Sequence, residues 1–195
     1  MCIAVIDYGS GNLKSAAKAL EVAADNVNLN SKVMITSDPK IIEQSDKIIL
    51  PGQGSFRDCY LGIKKIPGLN EALNEFVLEK KKPILGICVG MQLFAKTGYE
   101  SLETKGFGWI DAEVRKINNM NKKIKLPHMG WNQIELEKDC FLFSNIKNKS
   151  HVYFIHSYEF VTKQKDCVVA TTNYGNSIIA SVVKENIVGT QFHPE

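Results

Sequence analysis

The sequence predicts an α/β fold with a central, mostly parallel sheet flanked by helices and an added antiparallel part in the second half. Three observations carry that expectation. Up to about residue 96, short apolar runs alternate with segments of helical periodicity, as βαβ units require. After about Thr97 the helical segments give out, and apolar runs follow one another across short polar turns. The chain of 195 residues, 44% hydrophobic and 23% charged, is large enough to bury a sizeable core and favours a single domain over residues 1–195.

The elements follow in order. Cys2 to Asp7 is a buried-strand pattern broken by Gly9-Ser10-Gly11. Asn12 to Ala24 places Leu13, Ala16, Ala17 and Leu20 at helical spacing. Strands are expected at Lys32 to Thr36 and at Ile48 to Leu50, the latter ended by Pro51-Gly52. Leu69 to Lys82 reads as one amphipathic helix, Pro83 to Ile87 as a fourth strand and Met91 to Lys96 as helical. Further strands are expected at 107–117, 132–136, 151–161, 168–172, 178–183 and 187–192, with an exposed basic hairpin at 118–125.

Composition excludes several function classes. The net charge is only +3, and of 24 basic residues only Arg57 and Arg115 are arginine, so no arginine-bearing face for nucleic acid is visible. The five cysteines are scattered without a CxxC spacing, which argues against a disulfide framework and a zinc knuckle. His151 and His156 lie five apart on one strand, hence on opposite faces, which argues against shared metal ligation. Gly9-Ser10-Gly11 is no dinucleotide fingerprint, and no metal or cofactor is expected. The N-terminus is a strand pattern without a basic leader, and no apolar run is long enough to span a bilayer. Free cysteines without an export signal point to the cytoplasm.

The chemistry concentrates in Gly86-Ile87-Cys88-Val89-Gly90-Met91-Gln92. A strand that enters a Gly-x-Cys-x-Gly turn and leaves as a helix is the sequence form of a nucleophile elbow. A thiol there faces a helix N-terminus, and the Val89 N–H is placed to hold an oxyanion. Cys2, Cys59, Cys140 and Cys167 lack this context and read as packing residues. A thiol nucleophile needs a base and an orienting group. Pro194 forces His193 into extended backbone, so His193 and Glu195 share a face at the end of the last strand. Cys88, His193 and Glu195 then form a nucleophile, base and orienter. Gly52 and Gln53, at the carboxyl end of the third strand, are candidates for a second oxyanion N–H.

With these residues in place, the sequence resembles the class I, or triad, glutamine amidotransferases, through the elbow and the late His193-Pro194-Glu195. Within that class, Ile6 to Leu13, Pro51 to Phe56 and Pro127 to Asn132 are similar to the glutaminase subunits of imidazole glycerol phosphate synthases, and the resemblance spans essentially the whole chain. It implies the amidotransferase fold and hydrolysis of L-glutamine to glutamate and ammonia through a γ-glutamyl thioester on Cys88. His193 would move the protons and Glu195 would orient it. Gln92, Ser157 and Tyr158 match glutamine-binding positions, the last two largely through backbone. Asn12 and Met129, Gly130, Trp131 and Asn132 match the face toward a (βα)8-barrel synthase. That partner would receive the ammonia and make imidazole glycerol phosphate and an aminoimidazole carboxamide ribotide, a lyase activity of the heterodimer in histidine biosynthesis. The resemblance also implies that the lone chain is nearly inactive until the synthase binds its nucleotide. In the resembling family the chain continues past the Pro-Glu into a closing helix, so 195 residues are expected to be a lower bound.

Departures are Gln53, where a small aliphatic is common, Cys59-Tyr60, and Val89 in place of leucine. Three other readings stay open on sequence: a paralogous subunit feeding a sugar-modifying synthase, a stand-alone γ-glutamyl hydrolase, and a non-catalytic interaction subunit.

Overall fold

The structure is a computed structural model that describes residues 1–119 and 124–195. In chain order the first half runs β1 (Cys2–Ile6), α1 (Leu13–Asn26), β2 (Lys32–Thr36), α2 (Pro39–Gln44), β3 (Lys47–Gly52), α3 (Phe56–Lys65), α4 (Leu69–Asn74), β4 (Ile84–Cys88) and α5 (Val89–Gln92). The second half contributes β5 (Thr97–Glu100), β6 (Leu102–Lys105), β7 (Ala112–Lys116), β8 (His128–Gln133), β9 (Glu135–Leu136), β10 (His151–His156), β11 (Tyr158–Thr162), β12 (Val168–Tyr174), β13 (Asn176–Lys184) and β14 (Ile187–Thr190). The basic hairpin expected at 118–125 falls partly outside the described residues.

Eight strands form the central sheet in the order β2-β1-β3-β4-β14-β13-β12-β9. The pairs from β2 to β14 are parallel. Those from β14 to β9 are antiparallel. The sequence order of textures is thus also a spatial order. The inner parallel strands are mostly apolar because helices cover them: Ala4, Val5, Ile6, Ile48, Leu50 and Ile84 are buried among Ile42, Phe56, Ile63, Leu69 and Phe76 from the helical layer. A smaller core of Ile134, Phe143, Phe154, Ala180 and Phe192 packs under the antiparallel part. Two further sheets, β10-β8 and β11-β7-β5-β6, flank the central one.

Four expectations need correction. The stretch 107–117 is a strand only from Ala112; Phe107 and Trp109 instead stack at 4.1 Å in a loop, with Trp109 against Phe94. The segment 97–105, for which the sequence predicts no strand, is the β5–β6 hairpin, which its polar, largely exposed residues concealed. The stretch 151–161 breaks at Ser157 into two strands that join different sheets. The helix expected over 69–82 turns π-helical at Glu75–Glu79, where the widened turn lets the Val77 carbonyl accept a hydrogen bond from Asn186 Nδ2 at 3.0 Å.

The fold brings three parallel strand ends together. β3, β4 and β14 are neighbours, and their carboxyl ends carry Gly52, Cys88 and the segment Gln191 to Glu195. This is the edge at which open α/β sheets bind ligands.

Candidate active site

Cys88 occupies φ 55°, ψ −113°, outside the regions an ordinary L-residue favours. The glycines on either side make that turn possible. A Cβ on Gly90 would lie 1.8 Å from the Leu50 carbonyl oxygen, and one on Gly86 would lie 2.5 Å from the Phe94 ring and 2.7 Å from the Gly90 backbone. The elbow is therefore wedged against β3 and its own helix. Cys88 is almost fully buried, with one side on a cavity of about 390 Å³. Gln53, Gly54, Val89, Gln92, Ser157, Tyr158 and His193 also line that cavity.

His193 reaches the cavity because its backbone N–H donates to the Tyr153 carbonyl at 3.0 Å, an isolated bridge that ties the end of the chain to β10. Its Nδ1 lies 3.0 Å from Glu195 Oε1. Nε2 is buried without a hydrogen bond of ordinary geometry, yet Cys88 is the largest influence on the ring's protonation. Cys88 and Glu195 together outweigh burial and push the His193 pKa up to about 10. Burial raises the Glu195 carboxyl, but the bond and charge of His193 overcome it and leave the group below the ordinary carboxylate range. The carboxylate behind the ring and the sulfur beside it both favour the protonated imidazole that forms when His193 takes the thiol proton.

In the loop after β3 the candidate oxyanion N–H already has a partner. Gln53 and Gly54 line the cavity, but the Gln53 N–H donates to Ser10 Oγ at 3.1 Å, and Ser10 Oγ–H donates back to the Gln53 carbonyl at 2.5 Å. The second oxyanion donor is therefore engaged elsewhere. Tyr8 Oη, donating to the Pro51 carbonyl at 2.5 Å, holds the same loop. Gly52 stays in β3, packed so closely on Val89 and Gly90 that a Cβ would meet the Gly90 nitrogen at 2.4 Å. Val89 N–H opens α5, in the first turn, where helical N–H groups have no intrahelical acceptor.

The substrate positions are partly spent inside the protein. The carbonyl of Ser157 accepts from Ile117 N–H, and that of Tyr158 accepts from Gln92 Nε2 at 3.1 Å and faces His156 Nδ1 at 2.9 Å. Of the partner-face residues, Met129 and Trp131 are 62% and 72% exposed, and Asn12 is exposed at the start of α1. Gly130 adopts φ 136° within β8. Asn132 departs from expectation: its Nδ2 faces His128 Nε2 at 3.2 Å and donates to the Asn173 carbonyl at 3.0 Å, so its amide points inward.

Sequence reasoning missed five neighbours. Ser10 is the clasp just described. Glu100 lines the cavity and accepts the Phe56 N–H. His128 and His156 meet across β8 and β10 at 3.0 Å, a pairing that only the strand register reveals. Buried Gln191 approaches the nucleophile because β14 lies beside β4, a placement that no local pattern of the sequence displays. The other cysteines are free, with Cys59 and Cys167 buried and Cys2 and Cys140 partly so; Cys167 lies in a 3-10 turn just before β12, not in a strand. Among the described residues no cluster of three or more His, Cys, Asp or Glu could hold a metal ion.

Comparison with known proteins supplies the family. The class-I glutamine amidotransferase family matches over residues 4–195. The chain belongs to the class I glutamine amidotransferases. Within that family it is 54% identical over 196 residues to "Imidazole glycerol phosphate synthase subunit HisH" of Pelagibacter ubique, covering 100% of this chain and 92% of that protein. It is 44% identical to the protein of the same name from Brucella melitensis, with the same coverages. Among solved structures, a glutamine amidotransferase matches with TM-score 0.71 at 18% identity, covering 98% of this chain and 89% of that one. Another, from Thermotoga maritima, matches with TM-score 0.65 at 20% identity, covering 99% and 75%. These place the fold alone, and the family places the enzyme class: a glutamine-hydrolysing amidotransferase.

Proposed function

We propose that this amidotransferase, a single domain over 1–195, is the glutaminase subunit of an imidazole glycerol phosphate synthase and works through Cys88, His193 and Glu195. The observation that carries the reading is convergence. A cysteine on a wedged, positive-φ turn shares one cavity with a histidine whose far nitrogen is 3.0 Å from a carboxylate. In the proposed cycle His193 takes the thiol proton, and Cys88 Sγ adds to the side-chain carbonyl carbon of L-glutamine. The protonated imidazole then donates to the departing ammonia, leaving a thioester. His193 next draws a proton from water, whose oxygen attacks the thioester, and glutamate leaves as the thiol re-forms. Glu195 steadies the imidazolium at both stages. Val89 N–H supplies one oxyanion donor, and Gln92 with Ser157 and Tyr158 shapes the glutamine site.

The partner is a (βα)8-barrel synthase that consumes the ammonia in histidine biosynthesis. The relatives' printed names support a subunit role. The exposed apolar residues Met129, Trp131 and Ile155 on neighbouring strands β8 and β10 support a protein contact at that face. Among the described residues no helix is long and apolar enough to cross a membrane, and all five cysteines are free, which supports a cytoplasmic enzyme. The Ser10 clasp on Gln53 supports low activity of the chain alone. The test is glutaminase activity with and without the barrel synthase and its nucleotide. Stimulation of about 100-fold or more is expected, in line with the few kcal/mol that one oxyanion donor provides; full activity of the lone chain would overturn the partner-dependent reading.

A further inference from the structure

Gln191 follows β14 and is 0% exposed. Its backbone N–H donates to the Ala180 carbonyl at 2.8 Å, which fixes where the side chain starts. A carboxamide buried that completely must have partners, and this one has two. Its Oε1 faces Gln92 Nε2 at 2.9 Å, and its Nε2 faces Cys88 Sγ at 3.7 Å.

The orientation of both amides follows from one backbone atom. The Tyr158 carbonyl can only accept, so the end of Gln92 that faces it at 3.1 Å must be the nitrogen. That nitrogen spends its second hydrogen on Gln191, so the end of Gln191 facing it must be the oxygen. The NH2 of Gln191 is then left aimed at the sulfur. A flipped Gln191 would set two donors against each other on one side and a carbonyl oxygen against the nucleophile on the other.

We propose that Gln191 is a further catalytic residue, an N–H donor to the Cys88 sulfur held in donor orientation by Gln92. The inference rests on the reading of Cys88 as nucleophile. When the S–H proton passes to His193 Nε2, the charge left on sulfur meets the Gln191 N–H. Charge-assisted hydrogen bonds are the stronger kind, so the contact favours the thiolate over the thiol. It favours thiolate again as the leaving group when water cleaves the thioester. Gln92 thereby has a positioning role besides lining the cavity.

The test uses the complex with the barrel synthase and L-glutamine, and the variants Gln191→Met and Gln191→Glu. The first keeps the length and removes the donor; the second keeps the shape and presents an acceptor. Iodoacetamide alkylation of Cys88, read on its own peptide by mass spectrometry across pH, is expected to shift its midpoint upward by at least about one unit in Gln191→Met and further in Gln191→Glu. The other titratable groups coupled to Cys88, namely His193, Tyr8 and Cys59, are unchanged in both. kcat should fall about 10- to 100-fold with KM little changed, the scale of one hydrogen bond to a charged group. A merely structural glutamine would lower thermal stability and leave the midpoint in place, and that result overturns the proposal. Should neither variant fold, the Gln191 side-chain NH2 signals of the isotopically labelled wild type decide. They should move across the pH range in which Cys88 alkylation rises, and static signals would overturn the proposal. Cys88→Ala separates the two levels: if it stays active the nucleophile reading itself fails, whereas an inactive Cys88→Ala with an unshifted Gln191→Met sinks only the role of Gln191.

Discussion

The elbow at Cys88 and the loop from Pro51 to Ser55 end adjacent parallel strands against the same cavity, yet different physics holds each. The elbow is set by close backbone contact: Gly86 and Gly90 leave no room for a Cβ, and the packing on these two glycines keeps Cys88 at φ 55°. The loop is set by polar side chains, with Ser10 bonded twice to Gln53 and Tyr8 bonded to the Pro51 carbonyl. Steric walls do not exchange partners, whereas hydroxyl bonds of about 1 kcal/mol net do. One turn is permanently formed, and the other can trade its acceptor.

That contrast breaks most visibly at Gly90. Gly90→Ala drives a Cβ into the Leu50 carbonyl at 1.8 Å, where neither backbone can yield. The expected cost exceeds about 3 kcal/mol, the upper end of ordinary overpacking, with loss of glutaminase activity; denaturant unfolding and an assay check both. Retention of wild-type stability would show that the elbow is not sterically wedged.

A middle-sized effect concerns β10, whose Ile155 and His156 line the cavity, and its partner β8. Burial pushes both His128 and His156 down to about 4 from the usual 6.5, and each ring also serves the other as a hydrogen-bond partner. The unfolded chain therefore binds protons that the folded chain does not. Their contribution is fully present above about pH 6.5 and is lost as pH falls toward 4. His193 runs the other way: its raised pKa stabilises below 6.5 and is lost as pH rises through about 10. Hydrogen exchange at pH 4.5 should open β8 and β10 while β4 stays protected. Equal protection at pH 4.5 and 7 would contradict the burial of neutral rings.

The smallest effect is the most informative about the loop. Ser10→Ala removes both bonds to Gln53 and should raise the activity of the lone chain about 2- to 10-fold, the population shift worth one or two neutral hydrogen bonds. Unchanged activity would mean that Ser10 does not hold the loop.

What was legible in the sequence divides along the same line. The inner parallel strands were legible because they are mostly apolar, and the elbow because its glycines are spaced by a steric requirement. The pairing of His193 with Glu195 was legible because Pro194 dictates extended backbone. Contacts between polar residues far apart in the chain left no local trace. Ser10 to Gln53, His128 to His156 and Gln191 to Cys88 are set by strand register and by the order β4-β14, which no window of sequence displays. The β5–β6 hairpin escaped because Glu103 and Lys105 face solvent and Leu102 is 58% exposed, so it buries too little to show an apolar pattern. Phe107 and Trp109 misled because aromatic residues that stack in a loop look like strand residues.

The central claim is that Cys88 is the nucleophile of a glutaminase. The direct measurement is ammonia release from L-glutamine by the complex with the barrel synthase and its nucleotide, wild type against Cys88→Ala. The account predicts that the variant still folds and binds the synthase while ammonia release falls to background. Undiminished ammonia release by Cys88→Ala would contradict it.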